Sequence, residues 1–319
     1  MRYRTLQQTT FAILLSAVLF ACTSPKESHS DSTPQQKIGV LLVNHGSHSP
    51  TWRKALTDLD SVVRGRIMED GTIQDVKTAF MEYTEPSIAT RMRQFDSAGY
   101  TDVIIVPIFL TVSSHSFDDI PTIIGQKEDP QSMETLKIEN IERYQAKAKT
   151  HITPLLDFTN ILQKNVLRRY KNLVPSDSNI GLALIAYGDA GYNTEWSALM
   201  DSVGQYVARN TNMTHYSYNW CGHIAHYNPD STTIAINQVL EREEKSAVIP
   251  VLVAHDEMFQ VKIIGNGINK VSNYEQRVLY KPDAILPDPN IEDWVVNIVE
   301  EFKANINTSE SSVAHEEIN

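Results

Sequence analysis

Two stretches of this chain, about 140 residues apart, begin alike. Ile38-Gly-Val-Leu-Leu-Val43 runs into Asn44-His45-Gly46-Ser47, and Ile180-Gly-Leu-Ala-Leu-Ile185 runs into Tyr187-Gly188-Asp189. Further along, Ile105-Val-Pro-Ile-Phe109 is echoed by Val248-Ile-Pro-Val-Leu252, and a helix opened by Pro154 is echoed by Leu286 to Val299, which holds Pro287, Pro289 and Trp294. A repeat of this period is domain-sized rather than solenoid-like, and it restricts the fold to two similar bodies in one chain. The 319 residues, 41% apolar, are enough for a core in each.

Within the first body, short β-branched runs alternate with amphipathic segments. After the opening run comes a helix with Trp52, Leu56, Leu59, Val63 and Ile67 on one face, then a strand near Val76 to Phe80. A helix opened by Pro86 turns Ile88, Met92 and Phe95 inward, and Val103-Ile-Ile-Val106 is the next strand. Wholly apolar strands alternating with helices predict an α/β fold of two doubly wound parallel-sheet domains with a cleft between them. The expected limits are residues 37–172 and 173–305. In such sheets the functional loops sit at the carboxyl ends of the strands.

The ends of the chain read differently. Arg2 and Arg4 precede an uncharged apolar run from Phe11 to Ala21, too short for a spanning helix and of the size of a secretory signal's core. Leu19-Phe20-Ala21-Cys22 resembles the lipobox of bacterial lipoproteins, in which the Cys is diacylated and becomes the mature N-terminus. The expectation is a signal peptide over 1–21, a lipid anchor on Cys22, a flexible tether over 22–36 and a disordered tail over 306–319. Such a protein is held at the bacterial cell envelope, on its periplasmic or surface face. An acylated Cys22 leaves Cys221 without a disulfide partner. The net charge of −11 disfavours binding to a nucleic-acid backbone, which needs a basic face.

Three residues stand at the predicted rim. His45 follows the first strand directly, and His115 lies in the polar loop after Pro107-Ile-Phe-Leu110. Glu82 closes another strand in Phe80-Met-Glu-Tyr-Thr-Glu-Pro86. Two imidazoles and a carboxylate on one rim make an open site for a borderline divalent metal and also a proton-accepting set. Glu85, beside Pro86, has a simpler use at the positive end of its helix. Gly46 and Ser47 alone would also suit a phosphate cradle, on a weak pattern.

Taken in order, His45-Gly46-Ser47, Phe80 to Ile88, Val106 to Leu110, His115 and Asp118-Asp119-Ile-Pro121 resemble the class II tetrapyrrole chelatases of CbiX type, the sirohydrochlorin cobalt- and ferrochelatases. The resemblance covers the first half, including Pro154-Leu-Leu156. It implies a chelatase-like fold and lyase activity that inserts Co²⁺, Fe²⁺ or Ni²⁺ into a tetrapyrrole such as sirohydrochlorin, with no organic cofactor. It carries the metal-binding and proton-accepting His onto His45, the second His onto His115 and the acidic residue onto Glu82. A cleft between the halves would hold a flat, polyanionic ring. Because one chain supplies both halves, a monomer suffices.

The second half departs from that pattern, with Tyr187 where His45 would stand and Tyr218-Asn-Trp-Cys221-Gly-His223-Ile-Ala-His226 in place of the Glu82 segment. It is expected to form a wall rather than a second centre. Cys221, His223, His226 and His255 make an additional candidate metal site, with a buried thiol and solvent-facing histidines as the plainer reading. Met258 is expected in the core. Sirohydrochlorin metallation belongs to cytoplasmic cofactor synthesis, as of cobalamin, whereas the leader directs this chain outward. The rival function is therefore a tetrapyrrole- or metal-binding lipoprotein that scavenges haem, cobalt or a corrinoid, and a third reading removes metal from a captured ring.

Overall fold

β1 (Ile38–Asn44) is buried over all seven residues, as a strand of Val, Leu and Ile must be when helices cover both faces of its sheet. The computed structural model describes residues 36–110, 113–156, 160–175, 178–222 and 230–316, the last nine by their backbone alone. β2 (Ile73–Phe80) and β3 (Asp102–Pro107) flank β1 in parallel, and β4 (Lys149–Ile152) extends the edge, in the order β2-β1-β3-β4. β5 (Gly181–Ala186), β6 (Tyr216–Trp220), β7 (Ser246–Val251) and β8 (Val278–Tyr280) repeat that plan as a second parallel sheet, β6-β5-β7-β8. The fold is thus α/β with two similar chelatase-like sheets. The described residues from 36 onward form one compact body.

The helices follow from caps and spacing. Ser49 caps the helix Pro50–Ile67 by accepting from the Trp52 N–H, and Pro50 fits its first turn. Its buried residues are Trp52, Leu56, Leu59, Val63 and Ile67, the five expected. The helix Ile88–Ser97 is capped by Ser87 and buries Ile88, Ala89, Met92 and Phe95. The edge strands are not legible in the sequence, because Lys-Thr-His-Ile and Val-Leu-Tyr are short and half-buried with no sustained pattern.

The halves exchange their last helices. The helix Ile161–Leu173, at the end of the first half, packs against β7 of the second sheet. There Arg169 Nη1 donates to the Pro250 carbonyl at 2.8 Å, and Asn165 Nδ2 donates to Asp288 Oδ2 at 2.6 Å. The helix Pro289–Glu316, at the end of the chain, packs on the helix Pro50–Ile67 and on β3. Ion pairs join Arg66 to Asp293 at 2.8 Å and Lys303 to Asp70 at 2.7 Å. One apolar cluster accordingly runs through both halves, from Val40 and Leu56 to Leu184, Met200, Trp294 and Val299. The last helix extends into the stretch expected as a tail, since no Gly or Pro interrupts it after Pro289 and Ile306 is buried against the core. Among the described residues no helix is long and apolar enough to cross a membrane.

Candidate metal centre

The pairing of β1 with β2 continues one step beyond each strand. The Met81 N–H donates to the Asn44 carbonyl and the Glu82 N–H to the His45 carbonyl, both at 2.8 Å. His45 and Glu82 therefore leave the sheet side by side at its carboxyl rim. Gly46 makes the turn at φ +105°, and a Cβ there would stand 2.1 Å from the Glu82 carbonyl oxygen. Only glycine allows so close an approach in that conformation. β3 delivers the third residue: the Ile108 N–H donates to the Val43 carbonyl at 2.8 Å, and His115 then opens a single π-helical turn, His115–Asp119.

The three side chains converge. His45 Nε2 lies 3.9 Å from Glu82 Oε2, and His115 Nδ1 lies 4.0 Å from Glu82 Oε1. The imidazole centroids are 4.8 Å apart with the rings inclined at 72°. One ligand atom from each residue falls within 4.8 Å of the others, and no other such group of three His, Cys, Asp or Glu occurs among the described residues. Ligand atoms around a tetrahedral ion with bonds of about 2.1 Å stand about 3.4 Å apart, so small side-chain rotations would close the set on a metal.

Neighbouring groups orient the two rings. Asp119 Oδ2 lies 2.8 Å from His115 Nδ1, and a carboxylate there accepts the Nδ1 proton, which puts the lone pair on Nε2. The Gly46 carbonyl, 3.0 Å from His45 Nδ1, does the same for His45. Burial holds the Glu82 carboxyl above the ordinary carboxylate range, against the opposing pull of His115 and of the hydrogen bond from Tyr83. Partial burial and the charge of Glu82 in turn push the Tyr83 hydroxyl up, so it stays protonated and donates.

His45 and His115 line a cavity of about 330 Å³. Trp52, Phe109 and Leu110 from the first half and Trp196, Val253 and Phe259 from the second form its apolar walls. Glu82, Tyr83 and His115 also line a second cavity of about 680 Å³, whose acidic groups include Asp118, Asp129, Glu139 and Asp189. That lining favours a cation, whereas the first cavity favours an apolar ligand. Across the halves, Ser47 Oγ donates to Asp256 Oδ2 at 2.8 Å and Tyr192 Oη donates to Asp118 Oδ2 at 3.2 Å.

The remaining described candidates fall elsewhere. Ser47 is committed to Asp256 and to the Ser49 N–H rather than to a phosphate cradle. Glu85 Oε2 accepts from the Ser87 N–H at 2.6 Å, the helix-start use expected of it. Cys221 is a free thiol buried in the second apolar core, and burial pushes its pKa up, away from the thiolate a metal needs. His255 lines a different cavity, with Arg168, Arg169 and Lys281. His223 and His226 lie outside the described residues. Met258, expected in the core, is half-exposed and lines the apolar cavity instead, because it stands at the start of a π-helical segment, Glu257–Ile264, on the rim. Sequence reasoning misses Asp119, Tyr83 and Asp256 as site residues; only Asp119, four residues after His115, has a readable spacing.

A pair of parallel sheets with a His-Glu-His cluster at one rim is chelatase-like in arrangement, and that cluster could hold a metal ion. The CbiX family model matches residues 39–173. The sirohydrochlorin cobaltochelatase of Methanococcoides burtonii is 32% identical over 99 residues, which span 31% of this chain and 71% of that protein. The enzyme of the same name from Methanothermobacter thermautotrophicus is 32% identical over 96 residues, 30% of this chain and 64% of its own length. The chain belongs to the CbiX class II chelatase family. Among solved structures, SirB from Bacillus subtilis with Fe³⁺ superposes with a TM-score of 0.61 at 18% identity, covering 86% of this chain and 98% of its own. CbiX, described as the terminal enzyme for biosynthesis of sirohaem in denitrifying bacteria, superposes with a TM-score of 0.55 at 14% identity, covering 82% and 98%. These likenesses extend over both halves and concern the fold.

Proposed function

We propose that the protein is a metal chelatase that inserts a divalent ion, Co²⁺ first among Co²⁺, Fe²⁺ and Ni²⁺, into a tetrapyrrole, with His45, His115 and Glu82 as its metal ligands and proton acceptors. The observation that carries this reading is the convergence of those three side chains beside an apolar cavity built from both halves. The names of the relatives, sirohydrochlorin cobaltochelatases, support the reaction class.

The metal is a substrate. The imidazoles and the carboxylate hold it while the ring lies in the cavity. Insertion forms metal–nitrogen bonds and releases two pyrrole N–H protons, and an imidazole in its neutral form or Glu82 as its carboxylate is a base within reach. Three protein ligands leave positions open for ring nitrogens. The second half contributes walls and Asp256, and one chain completes the site.

The test is anaerobic incubation of the purified protein with Co²⁺ and, in parallel, sirohydrochlorin and a dicarboxylate porphyrin, following the macrocycle absorbance. Metallation of either ring above the His45→Ala/His115→Ala background supports the proposal. Ring binding without metallation of either contradicts it and favours a carrier that scavenges tetrapyrroles.

We further propose that Cys22 is lipidated and holds the protein at the cell envelope, on the strength of the apolar leader and Leu19-Phe20-Ala21-Cys22. Cys22→Ala is expected to move it from the membrane to the soluble fraction. Continued membrane association would refute the anchor.

A further inference from the structure

The apolar cavity beside the candidate metal centre is lined by few charged side chains among the described residues. Among its described lining residues there is no Lys or Arg, and the fixed charge is the carboxylate of Asp256. That carboxylate already accepts from Ser47 Oγ and from the Met258 N–H. Two of the three lining imidazoles, those of His45 and His115, belong to the metal cluster. The walls are aromatic and aliphatic, with Trp52, Phe109, Trp196 and Phe259 offering ring faces.

A buried carboxylate without a partner loses its hydration and regains nothing, at several kcal/mol for each group. An octacarboxylate ring such as sirohydrochlorin carries acetate and propionate on every pyrrole, so whichever edge enters brings carboxylates with it. A ring with two carboxylates on one edge can enter by its alkyl edge and leave both acids in water. From this we infer that the tetrapyrrole taken by this site is one with few carboxylates gathered on one edge and with alkyl or vinyl substituents on the other. The inference rests on the proposed chelatase reading and narrows its substrate class. It departs from the polyanionic ring that the family resemblance implies.

The experiment compares three metal-free porphyrins on the same macrocycle: mesoporphyrin with two carboxylates, coproporphyrin with four and uroporphyrin with eight. Binding to the whole protein is followed by quenching of its tryptophans, two of which line the cavity. High salt screens the general repulsion from the net charge of −11. Affinity is expected to fall with carboxylate number, by at least about tenfold from two to eight. Met258 lines the cavity and is half-exposed, so a charge there is tolerated by the fold. Met258→Arg is expected to strengthen uroporphyrin binding several-fold and Met258→Glu to weaken it, with mesoporphyrin moved much less.

Uroporphyrin bound as tightly as mesoporphyrin, or indifferent to the charge at residue 258, overturns the inference. Co²⁺ insertion is measured on the same rings and on sirohydrochlorin. If the ranking holds while no ring is metallated, the chelatase reading fails and the ligand class stands. If sirohydrochlorin is metallated and uroporphyrin binds best, the ligand class fails and the chelatase reading stands.

Discussion

Ser47 Oγ donates to Asp256 Oδ2 at 2.8 Å, so the loop that carries His45 is fastened to the opposite half of the molecule. The same loop is held from its own side, since Arg53 Nη1 donates to the Ser47 carbonyl at 2.6 Å. The edge of one sheet that carries His45 is thus positioned by a carboxylate that the other half supplies.

Removing that fastening should loosen the site without dismantling it. Asp256→Ala is expected to lower kcat/KM for metallation by about tenfold and stability by about 1–3 kcal/mol, whereas Asp256→Asn, which can still accept from Ser47, retains most of both. Parallel kinetics and denaturant titrations on the two variants check this.

The Gly46 turn tolerates no side chain. Gly46→Ala combines an unfavourable φ with a clash against the Glu82 backbone and should lose at least about 2 kcal/mol. Gly65, within the helix Pro50–Ile67, has open space where a Cβ would stand, so Gly65→Ala should instead stabilise by about 0.5–1 kcal/mol. Thermal unfolding of both proteins gives the comparison.

Asp119 orients His115 through the 2.8 Å contact at Nδ1. Asp119→Ala is expected to weaken Co²⁺ binding about 10–100-fold. Asp102 makes a similar contact with His151 at the start of β3, far along the strand from the metal centre, and Asp102→Asn should leave Co²⁺ affinity unchanged. Competition titrations with a metal indicator distinguish the two.

Glu82 gives the metal-free protein a pH dependence of defined sign. Its carboxyl is raised in the folded state by burial, so the folded protein holds that proton to higher pH than the unfolded chain does. Stability from this group is therefore intact below the unfolded pKa, about 4.3, and is lost as pH rises through the raised value. Glu82→Gln should be more stable than the parent at pH 7, converge with it at pH 4, and fail to metallate. Denaturant midpoints at both pH values measure the difference.

Much of this architecture is legible along the chain. A strand such as Ile38 to Val43 declares burial on both faces, and the inner face of the helix Pro50–Ile67 follows from side chains three and four apart. His45 and Glu82 can be placed because a residue at a parallel strand's carboxyl end must reach the rim. The exchange of helices is not legible: the helix Ile161–Leu173 has an apolar face that would fit either sheet, and Arg169 meeting Pro250 is a contact across 81 positions. The bond between Ser47 and Asp256 spans 209 positions, with no local pattern to announce it. The apolar character of the cavity is hidden for the same reason, since its walls come from well-separated segments of the chain.

The most direct test of the metal centre is a Co²⁺ titration of the metal-free protein followed by visible absorption. The expected result is one Co²⁺ per chain in a site of low coordination number, with the bands abolished in His45→Ala, His115→Ala and Glu82→Gln alike. An unchanged stoichiometry and spectrum in those variants would contradict the assignment of His45, His115 and Glu82 as its ligands.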